Sequence, residues 1–132
     1  MFFYPLESLP RIFDRSNGKQ WDYVFNCGGE TRYSQEDEVY KLRSLDLSVE
    51  AGKEAAKRGV KAFVEISSGM VYKPDDKPRK ESDKLKPWTK ISQYKLRAEE
   101  ELSKIPGYVD NSKRLTHIHG RMQTKKLIAL PA

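Results

Sequence analysis

"VKAFVEISSGMVY", residues 60–72, decides the fold. It is an apolar run of strand length, and it reads as a buried-type strand. A second such run, "WDYVFNCGG" at 21–29, ends in glycines and reads the same way. Between them lies "YSQEDEVYKLRSLDLSVEAGKEAAKRG", residues 33–59, with helical spacing. Ser34 is its expected N-cap, with Asp37 at the capping-box position. Leu42, Leu45, Val49, Gly52 and Ala56 form its expected apolar seam, and Gly59 closes it.

Residues 73–90 are nearly all charge and proline, so they read as a solvated loop of the kind that often sits over a site. "PWTKISQYKLRAEEEL", residues 87–102, follows as an amphipathic helix that stops at Pro106-Gly107. Strand, helix, strand, loop, helix is the order of βαβ crossovers and a parallel sheet, hence an α/β fold. Upstream, "LESLPRIF" reads as a helix tail and "DRSNGKQ" as a polar turn. "RLTHIHG" is a possible third strand in an otherwise illegible tail.

At 132 residues the chain suits one domain with a modest core. Its 25 Lys+Arg against 19 Asp+Glu leave +6, which attracts polyanions weakly. The charges are well mixed and no nucleic-acid-binding module is recognisable, so no nucleic-acid partner is expected. The single cysteine, Cys27, excludes an internal disulfide and fits a reducing compartment; at a strand end it reads as a small buried hydrophobe. "MFFYPLESLP" lacks the pattern of a signal peptide, and no run approaches the roughly 20 apolar residues of a membrane span. A soluble, cytoplasmic protein with no membrane partner is the expectation.

On the 87–102 helix, Ile91, Lys95, Ala98, Leu102 and Ile105 share one face, with Tyr94 about 100° away. Lys95 thus falls inside an apolar stripe, and a buried ammonium is unfavourable unless paired. Two readings stand: a lysine snorkelling from the stripe edge, or a lysine held by a functional partner. His117 and His119 would share one side of a strand, but without a third ligand no metal site is expected. Gly28 and Gly29 suit either a close backbone approach to a ligand or a plain strand-to-loop turn.

Taken together, Ser67-Ser68 before Val71-Tyr72, Pro78 before Glu81, Pro87, and Lys95 before "LRAEEEL" resemble the extended short-chain dehydrogenase/reductase family, the NAD-dependent epimerases and dehydratases. The resemblance covers roughly residues 21–106. It implies a partial Rossmann-like parallel sheet over 1–106, its first βαβ half missing, followed by a poorly ordered or atypical tail over 107–132. It implies Ser68 and Lys95 as catalytic residues that approach each other at the strand ends. Asn26, Gly28, Gly29 and Lys95 would be cofactor-binding, with NAD or NADP as cofactor and Lys95 on its ribose. In that family a tyrosine stands four residues before the lysine; here that position is Ile91. In the alternative register Tyr94 would be the acid, with Ala98 in the lysine's place. No glycine-rich phosphate-binding turn occurs in the sequence. The resemblance therefore implies a truncated protein, catalytically impaired, that binds its cofactor weakly. The alternative expectation is a non-catalytic interaction module, a homodimer through the helices near 36–58 and 89–105.

Overall fold

In the computed structural model, two four-residue strands, β1 (Tyr23–Asn26) and β2 (Ala62–Glu65), lie parallel. Tyr23 sits beside Ala62 and Asn26 beside Glu65. The structure describes residues 6–15, 18–74, 79–80, 82–106, 117–118 and 121–122. Pro78, Glu81, His119 and most of the tail beyond Pro106 therefore lie outside the described residues.

Helix α1 (Leu9–Asp14) precedes β1. Helix α2 joins β1 to β2 and runs through Asp37–Tyr40, a π-helical stretch Lys41–Asp46, and Leu47–Lys57. Helix α3 (Lys90–Leu102) follows the loop after β2. In the tail, the pairs β3 (His117–Ile118) and β4 (Arg121–Met122) run antiparallel.

The start of α2 differs from expectation. Its N-cap is Glu36, with no side-chain cap, while Ser34 adopts a positive φ of 60° in the connecting loop. The Tyr40 hydroxyl takes over the task of a cap: it accepts from Gln35 N and donates to Arg32 O. Gly59, with φ +65°, does close the helix, in the left-handed region that glycine tolerates.

The seam of α2 is also shifted. Ser44, Leu45, Ser48, Ala51, Gly52 and Ala55 are buried, whereas Leu42 is half exposed and Ala56 is exposed. The wider π turn at Lys41–Asp46 changes the angular register that a 3.6-residue period assumes. The inward serines have hydrogen-bond partners, as shown below, so burying them carries no unsatisfied-group penalty.

Helix α3 opens with a reciprocal cap. Ser92 N donates to Thr89 Oγ1 at 3.1 Å, and Thr89 N donates to Ser92 Oγ at 3.1 Å. A cap of this type contributes about 1 kcal/mol. It also fixes the N-cap at Thr89, two residues beyond Pro87.

All three helices lie on one side of the sheet. Leu9 and Phe13 of α1, Ala51 and Ala55 of α2 and Leu102 of α3 meet Phe63 of β2, with Val24 of β1 packed against them. On the opposite face Tyr23 and Phe25 are more than half exposed, although their β2 neighbours Ala62 and Val64 are buried. Cys27, expected to be buried, is exposed. It continues the outward alternation of Tyr23 and Phe25, and its neighbour Asn26 takes the inward place.

Gly52 is where α2 and α3 come closest: a Cβ there would drive into Leu102 Cδ2, the tip of a fully buried side chain. Gly52→Val should therefore lower stability by about 1–3 kcal/mol through overpacking, despite relieving the glycine's own helix penalty. Urea unfolding followed by circular dichroism checks this; an unchanged or raised midpoint would contradict the close α2–α3 packing.

Candidate functional site

The carboxyl ends of parallel strands are where open α/β sheets bind ligands. Here that edge holds a polar cluster drawn from four elements. Lys95 of α3 is buried, and its ammonium donates to Glu65 Oε1 at 2.7 Å and to Gly28 O at 2.7 Å. Glu65, the last residue of β2, is fully buried. Its Oε1 also accepts from Ser48 Oγ at 2.9 Å, and its Oε2 accepts from Asn26 Nδ2 at 2.7 Å. Asn26 Nδ2 further donates to Ser48 Oγ at 3.1 Å, while Asn26 Oδ1 accepts from Gly28 N at 3.0 Å.

Burial pushes the Glu65 carboxyl up, and the adjacent Lys95 ammonium, Asn26 and Ser48 act against that rise. The geometry decides which form is present. Every group on the two carboxyl oxygens is a donor, an arrangement that suits an ionised, acceptor-only carboxylate. A protonated carboxyl would have only the Ser48 hydroxyl oxygen to donate to, and that oxygen already accepts from Asn26 Nδ2. Lys95 therefore does not snorkel: its partner is a buried carboxylate at the end of β2.

Four of the five residues expected at the site, Asn26, Gly28, Gly29 and Lys95, do come together. Their shared centre is Glu65, which sequence reading passed over. Ser68 makes its hydrogen bond elsewhere. Ser68 Oγ accepts from Met70 N at 3.2 Å, capping the 3-10 turn Gly69–Val71, and no hydrogen bond joins it to Lys95. The two glycines have an internal reason for lacking side chains. A Cβ at Gly28 would lie 2.8 Å from Leu47 Cδ2, and one at Gly29 would lie 3.0 Å from Lys95 Cε.

Ile91 and Tyr94 both face inward, in a cluster with Tyr40, Leu45 and Ala98. Tyr94 stacks on Tyr40 with ring centroids 6.0 Å apart, and the Arg97 guanidinium lies 5.1 Å from its ring centre. The Tyr94 ring of α3 is thus packed against α2.

Beside the cluster, the loop after β1 is tied down by Glu30. Its carboxylate binds Arg32 Nη2 at 3.0 Å and Arg43 Nη1 at 2.8 Å, and its backbone N donates to Ser44 Oγ at 3.0 Å. Among the described residues, no group of three or more His, Cys, Asp or Glu is placed to hold a metal, and no helix is long and apolar enough to cross a membrane.

A parallel strand pair with helices on one face and a polar cluster at the carboxyl edge is the arrangement of a partial, Rossmann-like α/β sheet. The sequence profile of the NAD dependent epimerase/dehydratase family matches residues 9–102, and the chain belongs to that family. No curated protein matches it. Among solved structures it resembles the Bordetella bronchiseptica enzyme WbmG in complex with NAD and UDP, at 20% identity and a TM-score of 0.66, over 76% of this chain and 32% of that one. The UDP-Glc/GlcNAc 4-epimerase of Campylobacter jejuni aligns at 19% identity and TM-score 0.62, over 75% of this chain and 31% of that one. MoeE5 in complex with UDP-glucose and NAD aligns at 18% and 0.66, over 86% and 38%. The chain thus spans about a third of the length of these structures, and at such identities the likeness is one of fold.

Arg32, whose hydrogen bond is the largest influence, holds the Glu30 carboxyl down at about 2, with Arg43 adding to the effect. A folded-state value below the ordinary 4.5 stabilises the fold at neutral pH, and that contribution disappears as pH falls from about 4.5 through about 2. Glu30→Gln should flatten this acid limb in urea midpoints measured between pH 5 and pH 2 while changing little of its shape above it. An acid limb identical in the variant would show that the two arginines do not hold the loop.

Proposed function

We propose that this chain forms the central part of an NAD(P)-binding unit of the epimerase/dehydratase type and is catalytically impaired as it stands. The observation that carries the reading is Ile91. It is buried among Tyr40, Leu45, Tyr94 and Ala98, one helical turn before Lys95, where a proton-transferring phenol would have to stand. An alkyl side chain exchanges no proton, and general acid–base assistance is typically worth about 10²–10⁴ in rate.

The residues present fit a dinucleotide in part. Lys95 has three N–H donors and gives two of them to the protein, which leaves one for a ribose hydroxyl. Asn26, Gly28 and Gly29 would border the cofactor at the strand end, and Ser68 would meet a substrate oxygen. NAD or NADP, when bound, supplies the hydride acceptor or donor. The pyrophosphate cradle, a glycine-rich turn at a helix N-terminus, has no counterpart in the sequence. A few hydrogen bonds of about 0.5–1.5 kcal/mol each must then offset the several kcal/mol of freedom lost on binding.

A second reading, association through α2 and α3, is favoured by Leu42, which lies half exposed on α2. A solution mass that rises with concentration would support it, and a constant monomer mass would remove it.

Calorimetric titration with NAD and NADP at two ionic strengths tests the first reading. The expected dissociation constant is about millimolar or weaker, equivalent to about 4 kcal/mol. The +6 charge should make any heat salt-sensitive. Micromolar binding insensitive to salt would overturn the expectation of weak binding, and no saturable heat with either nucleotide would overturn the NAD(P)-binding reading itself.

A further inference from the structure

We propose that Glu65 is a positioning residue: an internal carboxylate that holds the Lys95 ammonium at the carboxyl edge, so that the edge is assembled before any ligand arrives. Three observations lead there. Both charges are buried, Lys95 at 6% exposure and Glu65 at 0%, and each is nearly without water to solvate it. The carboxylate is itself fixed, by Ser48 from α2 and Asn26 from β1, so its place does not depend on the lysine alone. The ammonium reaches past it to the Gly28 carbonyl, and a Cβ at Gly29 would press on Lys95 Cε and Nζ at 3.0 and 3.2 Å. The lysine is therefore confined by its charge partner, a backbone acceptor and a glycine together.

The consequence is specific. A lysine that waited for a ligand to neutralise it would be unpaired in the empty protein, and a buried unpaired ammonium destabilises strongly. Here it is neutralised from within, with one N–H left over. Glu65 thus acts on a ligand only through Lys95, so its functional side rests on the proposed nucleotide reading.

The test uses the full chain without nucleotide, so its failure is distinguishable from failure of that reading. Urea midpoints are compared for the unsubstituted chain, Glu65→Ala, Lys95→Met and the double variant, in sodium chloride and in sodium formate of equal ionic strength. Glu65→Ala and Lys95→Met should each lower the midpoint, and the double variant should lose clearly less than the two losses added. Formate, a carboxylate small enough for the space left by Glu65→Ala, should raise the midpoint of that variant and leave Lys95→Met unmoved. A role limited to filling space would show no preference for formate. Additive losses with formate equal to chloride would overturn the proposal.

Should Glu65→Ala fail to fold, acetylation of the unsubstituted chain decides. Lys95 should react at least about tenfold more slowly than Lys57, whose side chain is 78% exposed, because it reacts only from an opened state. Equal rates for the two lysines would overturn the proposal.

Discussion

Two buried opposite charges govern the arrangement of this chain. Lys95 and Glu65 sit in elements 30 residues apart, and neither tolerates burial without the other. Meeting that constraint brings the end of β2 against α3, and the remaining hydrogen-bonding capacity of Glu65 draws in Ser48 from α2 and Asn26 from β1. The apolar core of Leu9, Phe13, Ala51, Ala55, Phe63 and Leu102 supplies the bulk of the driving force. That core is non-directional. The polar cluster fixes which residues meet at the carboxyl edge.

The same constraint bears on chemistry. A lysine whose charge is matched by a carboxylate 2.7 Å away is a weaker attractor for an added anion, and less able to ionise a neighbouring phenol, than an unmatched one. In this chain no phenol stands one turn away, since Ile91 occupies the place and Tyr94 is stacked on Tyr40. The edge keeps the parallel-strand architecture of its family, with Lys95, Glu65, Ser48 and Asn26 hydrogen-bonded to one another there.

Much of this was legible from the sequence. The runs around 23–27 and 62–67 announced parallel strands because apolar residues bounded by glycine or serine have few alternatives at that length. The helix carrying Lys95 was legible from its stripe. Two features were hidden for physical reasons. The π turn at Lys41–Asp46 breaks the period on which a seam relies and leaves Leu42 outward; Ala55 and Ala56 lie past it, three and four residues after the buried Gly52, where helical spacing alone allows either. Glu65 was the larger omission, yet a signal existed. One carboxylate inside the run "AFVEIS" and one ammonium inside the stripe Ile91–Ala98–Leu102 are each improbable in a core alone, and their opposite charges make them each other's natural partner. The burial of Ser48 and Ser44 follows only once their partners, the Glu65 carboxylate and the Glu30 backbone N–H, are known.

The most direct test of the account is the Lys95 side-chain ammonium signal in a nitrogen-15 nuclear magnetic resonance spectrum of the full chain, recorded near neutral pH without nucleotide. Buried and hydrogen-bonded to Glu65 and Gly28, the ammonium should exchange its protons with water slowly enough to give a resolved resonance, one that Lys95→Met removes and Glu65→Gln shifts or broadens away. A Lys95 ammonium that exchanges as fast as those of the surface lysines, with no response to Glu65→Gln, would contradict it.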